Sequence, residues 1–128
     1  MPHEMYLLSE LQELIIVNNT LSGTLPETFG ENSTSMLSLV LPGNELVGTI
    51  PDDYLSNSPL EVVILDDNQL EGSVPTGLGN ATSLALLDLS DNNLDGVIPD
   101  DIADYESLVE LDLSNSGLEG EIPDGDYS

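Results

Sequence analysis

The stretch LALLDLSDN, residues 84–92, alternates as a strand does. Leu87 and Leu89 fall on one face and Leu86 and Asp88 on the other, the two-residue period of extended backbone. So short a strand cannot bury its apolar face alone. The pattern around it supplies the partners. Leu84, Leu87, Leu89, Asn92, Leu94, Gly96, Ile98 and Pro99 return 24 residues earlier as Leu60, Val63, Leu65, Asn68, Leu70, Gly72, Val74 and Pro75. They return again as Met36, Leu39, Leu41, Asn44, Leu46, Gly48, Ile50 and Pro51. One step of 25 gives Leu11, Leu14, Ile16, Asn19, Leu21, Gly23, Leu25 and Pro26. Forward by 24 lie Leu108, Leu111, Leu113, Ser116, Leu118, Gly120, Ile122 and Pro123, with Ser116 in the Asn place.

Each recurring position has a physical reason. Stacked coils bury a continuous core that one coil cannot, so stability is a sum over neighbours. The column Asn19, Asn44, Asn68, Asn92 puts an amide where the chain turns inward. An amide both donates and accepts, so it satisfies backbone groups of adjacent coils. The Gly column supplies a backbone angle or a close approach that a Cβ would block. The Pro column ends a second short strand and opens a turn or 3-10 segment.

The repeat L-x-x-L-x-L-x-x-N-x-L-x-G-x-I-P resembles the plant-type, extracellular and receptor-like leucine-rich repeat family over nearly the whole chain. The resemblance implies an α/β-type leucine-rich repeat solenoid, a right-handed superhelix of about five coils. It places a parallel β-sheet on the concave face, with second short strands and 3-10 or loop segments on the convex side. We expect a single domain, 1–128, with coils at 11–35, 36–59, 60–83, 84–107 and 108–128. Residues 1–10 make a partial coil, because Pro2, Met5 and Leu8 reproduce the second half-repeat seen at Pro75, Leu78 and Ala81. Members of the family often close the array with disulfide-bearing caps, and this chain has no Cys. It therefore reads as a segment of a longer array, or as a unit that self-associates end to end.

Charge narrows the partners. The chain has 25 acidic residues and no Lys or Arg. Nothing neutralises phosphate, which excludes nucleic acid and disfavours anionic lipid. No run of eighteen apolar residues exists to enter a membrane. The sequons at Asn18, Asn32 and Asn80 are glycosylation candidates and, with the repeat type, point to an extracellular or cell-surface glycoprotein.

Catalysis has little to build on. The one His, His3, lies in HEMYL, which lacks the second His of a zinc-binding H-E-x-x-H. Asp66 and Asp67 form a carboxylate pair on an open strand end, without a walled pocket. We therefore expect no enzyme and no cofactor. Asp91, Asn93, Asp95 and Gly96 imitate the start of a calcium loop, but its twelfth position is Ile102 instead of the bidentate Glu. At most, Asp88 and Asp112, one coil apart, bridge a weak surface calcium ion with Asp91 nearby.

The outward strand positions remain. Ile15, Val17, Val40, Val62, Ile64 and Leu86 form an apolar patch on the concave face. Beside it lie Asp66, Asp67, Asp88, Asp91, Glu110 and Asp112. An apolar patch with a polar rim is the usual sign of an interaction site. The expected function is a recognition scaffold for a protein, peptide or glycan, with a basic partner allowed by the charge. Two alternatives follow from other features. One is an acidic structural or cell-wall fibre built by end-to-end stacking. The other is ice binding through the second-strand row Thr24, Thr49, Ser73, which Val97 and Glu121 end.

Overall fold

The computed structural model describes residues 3–27, 33–77 and 82–124. Nine short strands occur among them: β1 (Glu13–Ile15), β2 (Ser22–Thr24), β3 (Ser38–Val40), β4 (Glu45–Thr49), β5 (Val62–Ile64), β6 (Gln69–Gly72), β7 (Leu86–Asp88), β8 (Asn93–Leu94) and β9 (Glu110–Asp112). The odd-numbered strands make one parallel sheet in the order β1-β3-β5-β7-β9. The even-numbered ones, β2-β4-β6-β8, make a second. The chain is a leucine-rich repeat solenoid, and each full coil gives one strand to each sheet. The helical segments are 3-10, at His3–Leu7 and Asp100–Asp104. The second follows Pro99, whose ring fixes φ at −63° and which, at ψ 141°, is the last extended residue before the 3-10 turn.

The core lies between the sheets. Leu39, Leu87, Leu46, Leu70 and Leu84 have no exposed surface. The partial coil joins this core only in part: Met5 packs against it, but Leu8 is exposed. Pro2, Leu78 and Ala81, the other members of that half-repeat comparison, lie outside the described residues.

The Asn positions bind coil to coil. Asn68 donates through Nδ2 to the carbonyls of Leu41, Leu65 and Asp66, at 3.0, 3.1 and 3.1 Å, and its Oδ1 accepts the Leu46 amide at 3.0 Å. Asn92 repeats this with Leu65, Leu89, Ser90 and the Leu70 amide, and Asn44 with Ile16, Leu41, Pro42 and the Leu21 amide. Asn19 departs from the column. It is exposed and donates only to Val17 of its own coil, because no earlier coil lies within reach to receive it.

The two sheets differ in register. In the first sheet equivalent repeat positions are partners: Leu14 with Leu39, Leu39 with Val63, Val63 with Leu87, Leu87 with Leu111. In the second sheet each coil is two residues out of step, so Gly48 faces Leu70 and Gly72 faces Leu94. Two residues along a strand are about 6.6 Å. Side-chain seating follows the slip. A Cβ on Gly48 would come 3.0 Å from the Thr24 methyl, and one on Gly72 would come 2.9 Å from the Thr49 methyl. Gly48 and Gly72 are where the preceding coil's threonine rests, and Gly120 is where Val97 rests.

Candidate functional site

The candidate site is the outward face of the first sheet and the turn that follows each of its strands. Residues alternate along each strand, and parallel pairing carries the alternation across the sheet. One row runs Glu13, Ser38, Val62, Leu86, Glu110, with each member the register partner of the next. A second row runs Ile15, Val40, Ile64, Asp88, Asp112. Ile15 is 58% exposed and Val17 42%. Val40, Val62, Ile64 and Leu86 are half-buried against their neighbours. The second row thus changes character along the solenoid, apolar and branched at Ile15, Val40 and Ile64, acidic at Asp88 and Asp112, whereas the first row is acidic at both ends, at Glu13 and Glu110.

The turn beyond each strand adds Asp66, half-buried, with Asp67 and Asp91, both exposed. Asp67 and Asp91 have a backbone reason to be there. Their φ angles are 51° and 50°, in the left-handed region. The same place in the other coils holds Asn18 (52°), Gly43 (64°) and Asn115 (51°). Asn, Asp and Gly are the types that tolerate this conformation. The series Asn, Gly, Asp, Asp, Asn was visible in the repeat alignment and marks a left-handed turn, a signal that the reading of Asp67 and Asp91 as ligand residues passed over.

Hydrogen bonds tie several of these carboxylates. Asp88 Oδ1 accepts the Ser90 amide at 3.0 Å and the Ser90 hydroxyl at 2.6 Å. Asp112 Oδ1 accepts the Ser114 amide at 2.9 Å. Asp91 Oδ1 accepts Asn115 Nδ2 from the next coil at 2.9 Å. The Ser114 hydroxyl and amide hold the Asp112 carboxyl below its ordinary value. Asp66 is pushed the other way, first by burial, then by the charge of Asp88, with Asp67 and Asp91 adding to it and its own backbone hydrogen bond opposing.

Among the described residues, no group of three or more acidic or histidine side chains gathers so as to hold a metal ion. The trio Asp88, Asp91 and Asp112 is therefore not assembled as a calcium site. Asp91 sits on a turn, away from the strand row that aligns Asp88 with Asp112, and each of the three carboxylates already accepts a hydrogen bond. The calcium-like D-x-N-x-D-G falls on repeat parts: Asp91 is the left-handed turn, Asn93 begins β8, and Gly96 is a positive-φ residue at 80°.

The hydroxyl row also differs from its expected alignment. Thr24 faces Val47 and Thr49 faces Glu71, so Thr24 and Thr49 are not side by side. The two-residue slip of the second sheet turns the row oblique. Of the glycosylation candidates, Asn18 is exposed. Asn32 and Asn80 lie outside the described residues.

A leucine-rich repeat family model matches residues 58–118, and a further one matches residues 10–32. A chain of the BIR3–SERK2 complex from Arabidopsis thaliana is 37% identical, with a TM-score of 0.82, over 88% of this chain and 60% of that one. The ectodomain of the Arabidopsis receptor kinase HAESA, solved with an IDA peptide hormone ligand, is 31% identical, with a TM-score of 0.89, over 96% of this chain and 20% of that one. A plant ice-binding protein is 32% identical, with a TM-score of 0.73, over 82% of this chain and 34% of that one. No curated protein matches the chain. The chain belongs to the leucine-rich repeat family, in its plant-type form. It spans 60% or less of the length of these solved relatives.

Proposed function

We propose that this chain is a non-enzymatic recognition module of an extracellular or cell-surface protein, and that it binds a peptide or protein on the outward face of its first sheet. The observation that carries the reading is the row Ile15, Val40, Ile64, exposed or half-buried side chains held in register by three strands and uncovered on their outer side. A rigid sheet that presents branched apolar side chains in a row, with a polar rim, suits an extended partner. The similarity to a receptor ectodomain solved with a peptide hormone supports a partner of that kind. A glycan is a weaker fit. Sugar-binding faces stack rings on aromatic side chains, and neither outward row contains one.

The test is substitution on the face. Ile15→Glu with Ile64→Glu should abolish retention of a ligand selected from a peptide library, with the fold intact by circular dichroism. Retention unchanged by the double substitution moves the site elsewhere.

Similarity to the plant ice-binding protein favours ice binding as a second reading. Its weak point is the oblique hydroxyl row, which Val97 and Glu121 continue without hydroxyls. Thermal hysteresis measured on the chain decides it. A freezing gap abolished by Thr24→Val/Thr49→Val establishes this reading, and no gap removes it.

A further inference from the structure

The second row is polarised along the solenoid, and the chain has no means of neutralising its acidic end. In the second row Ile15, Val40 and Ile64 precede Asp88 and Asp112, while in the first row Glu13 and Ser38 lead to Val62 and Leu86, which precede Glu110. Adjacent strands are about 4.8 Å apart, so the five-strand row is roughly 19 Å long, the reach of an extended segment of about six residues. Asp66 lies two residues after Ile64 and is half-buried where the apolar part meets the acidic part. Serine and asparagine donors partner Asp88 and Asp91, and these donors are neutral. The 128 residues contain no Lys or Arg, so a cationic side chain at this junction has to come from outside these residues.

We propose, building on the peptide-recognition reading above, that the partner is an extended polypeptide segment that lays branched apolar side chains on Ile15, Val40 and Ile64 and a lysine or arginine on Asp66 and Asp88. Three observations fit this occupant together. The apolar row demands desolvation by aliphatic groups, which an inorganic cation lacks. The carboxylates demand a cation, which excludes an acidic or purely apolar segment. The order of the two along one straight row fits a single strand-like ligand, whose same-side residues, ~6.6 Å apart, place about four side chains along the row without pairing one to each strand. The Asp66 carboxyl is raised first by burial and then by the charge of Asp88, with Asp67 and Asp91 adding to it, and the charge part of that crowding is what an arriving cation relieves.

The experiment pans a random heptapeptide display library against the 128-residue chain, against Asp66→Asn/Asp88→Asn, and against Ile15→Glu/Ile64→Glu. The first double substitution removes mutual repulsion, so the fold is retained, and thermal melting of all three proteins checks this. The expected result is enrichment of peptides with a Lys or Arg two to four residues from Val, Ile or Leu. Retention should fall at least ten-fold between low and high salt, and the basic preference should vanish with Asp66→Asn/Asp88→Asn. Enrichment of neutral or acidic peptides that still depends on Ile15 and Ile64 overturns the cationic partner and leaves the recognition reading standing. Enrichment that ignores both pairs of substitutions, or none above the blank surface, overturns both.

Discussion

Leu87 and Leu111 occupy the same place in successive coils, yet Leu87 is completely buried and Leu111 is 37% exposed. The contrast repeats at the following positions. Leu89 and Leu94 are buried, whereas Leu113 and Leu118 are only half-buried. Val74 is buried, and Ile122, two coils on, is 82% exposed. At the other end Leu41 and Leu46 are buried, while Ile16 and Leu21 are half-buried. The residues are of the same type and fill the same repeat positions. What differs is a neighbour on both sides, which an interior coil has and an outer coil lacks. In a solenoid the worth of a leucine is therefore set by its coil's place in the stack, since burial comes from adjacent coils.

The largest effect should come from breaking that core. Leu87→Ala is expected to cost about 2–5 kcal/mol, the usual range for a buried leucine. Leu111→Ala is expected to cost about 1 kcal/mol, because much of its surface is already in water. Urea denaturation of the two variants checks this, and equal shifts in midpoint would break the comparison. The same logic applies to the polar column. Asn68→Ala strips one buried amide and several carbonyls of their partner and should cost about 1–3 kcal/mol. Asn19→Ala removes one exposed bond and should stay within roughly 0.5 kcal/mol. If Asn19→Ala proves as costly, the inter-coil bonds are not what the column is for.

The smallest expected effect is electrostatic and of opposite sign in the two regions. Asp66, in an interior coil, has its pKa raised above the ordinary 3.8. The folded state therefore takes up that proton before the unfolded chain does, and stability rises as pH falls through the raised value. The gain is complete below 3.8. Asp112, in the last coil, has its pKa lowered. Its contribution is present above 3.8 and is lost as pH falls through the lowered value. Melting curves from neutral pH downward should show Asp66→Asn more stable than the parent at pH 7, with the difference closing on acidification. Asp112→Asn should show the reverse order. A pH-independent gap for Asp66→Asn sinks this assignment.

Much of this was legible from the pattern of leucines, because a period of 24 fixes which side chains face inward wherever coils stack. The strand of LALLDLSDN, the parallel sheet, the inward Leu87 and Leu89 and the outward Leu86 and Asp88 all follow from that period and from the alternation of extended backbone. Side-chain identity at eight recurring positions per coil carries this information. Three features needed the folded chain. Whether Asn19 bonds to another coil depends on having one beside it, which no property of an Asn residue encodes. The two-residue slip of the second sheet brings Thr24 over Gly48 and Thr49 over Gly72, a contact between residues 24 and 23 positions apart. Periodicity aligns Thr24 with Thr49, and packing does not. The left-handed turn at Asp67 and Asp91 also assigns a backbone role to carboxylates whose charge alone suggested a ligand site. The charge of a residue is written in its letter, but the dihedral angle it must adopt is imposed by the coils on either side.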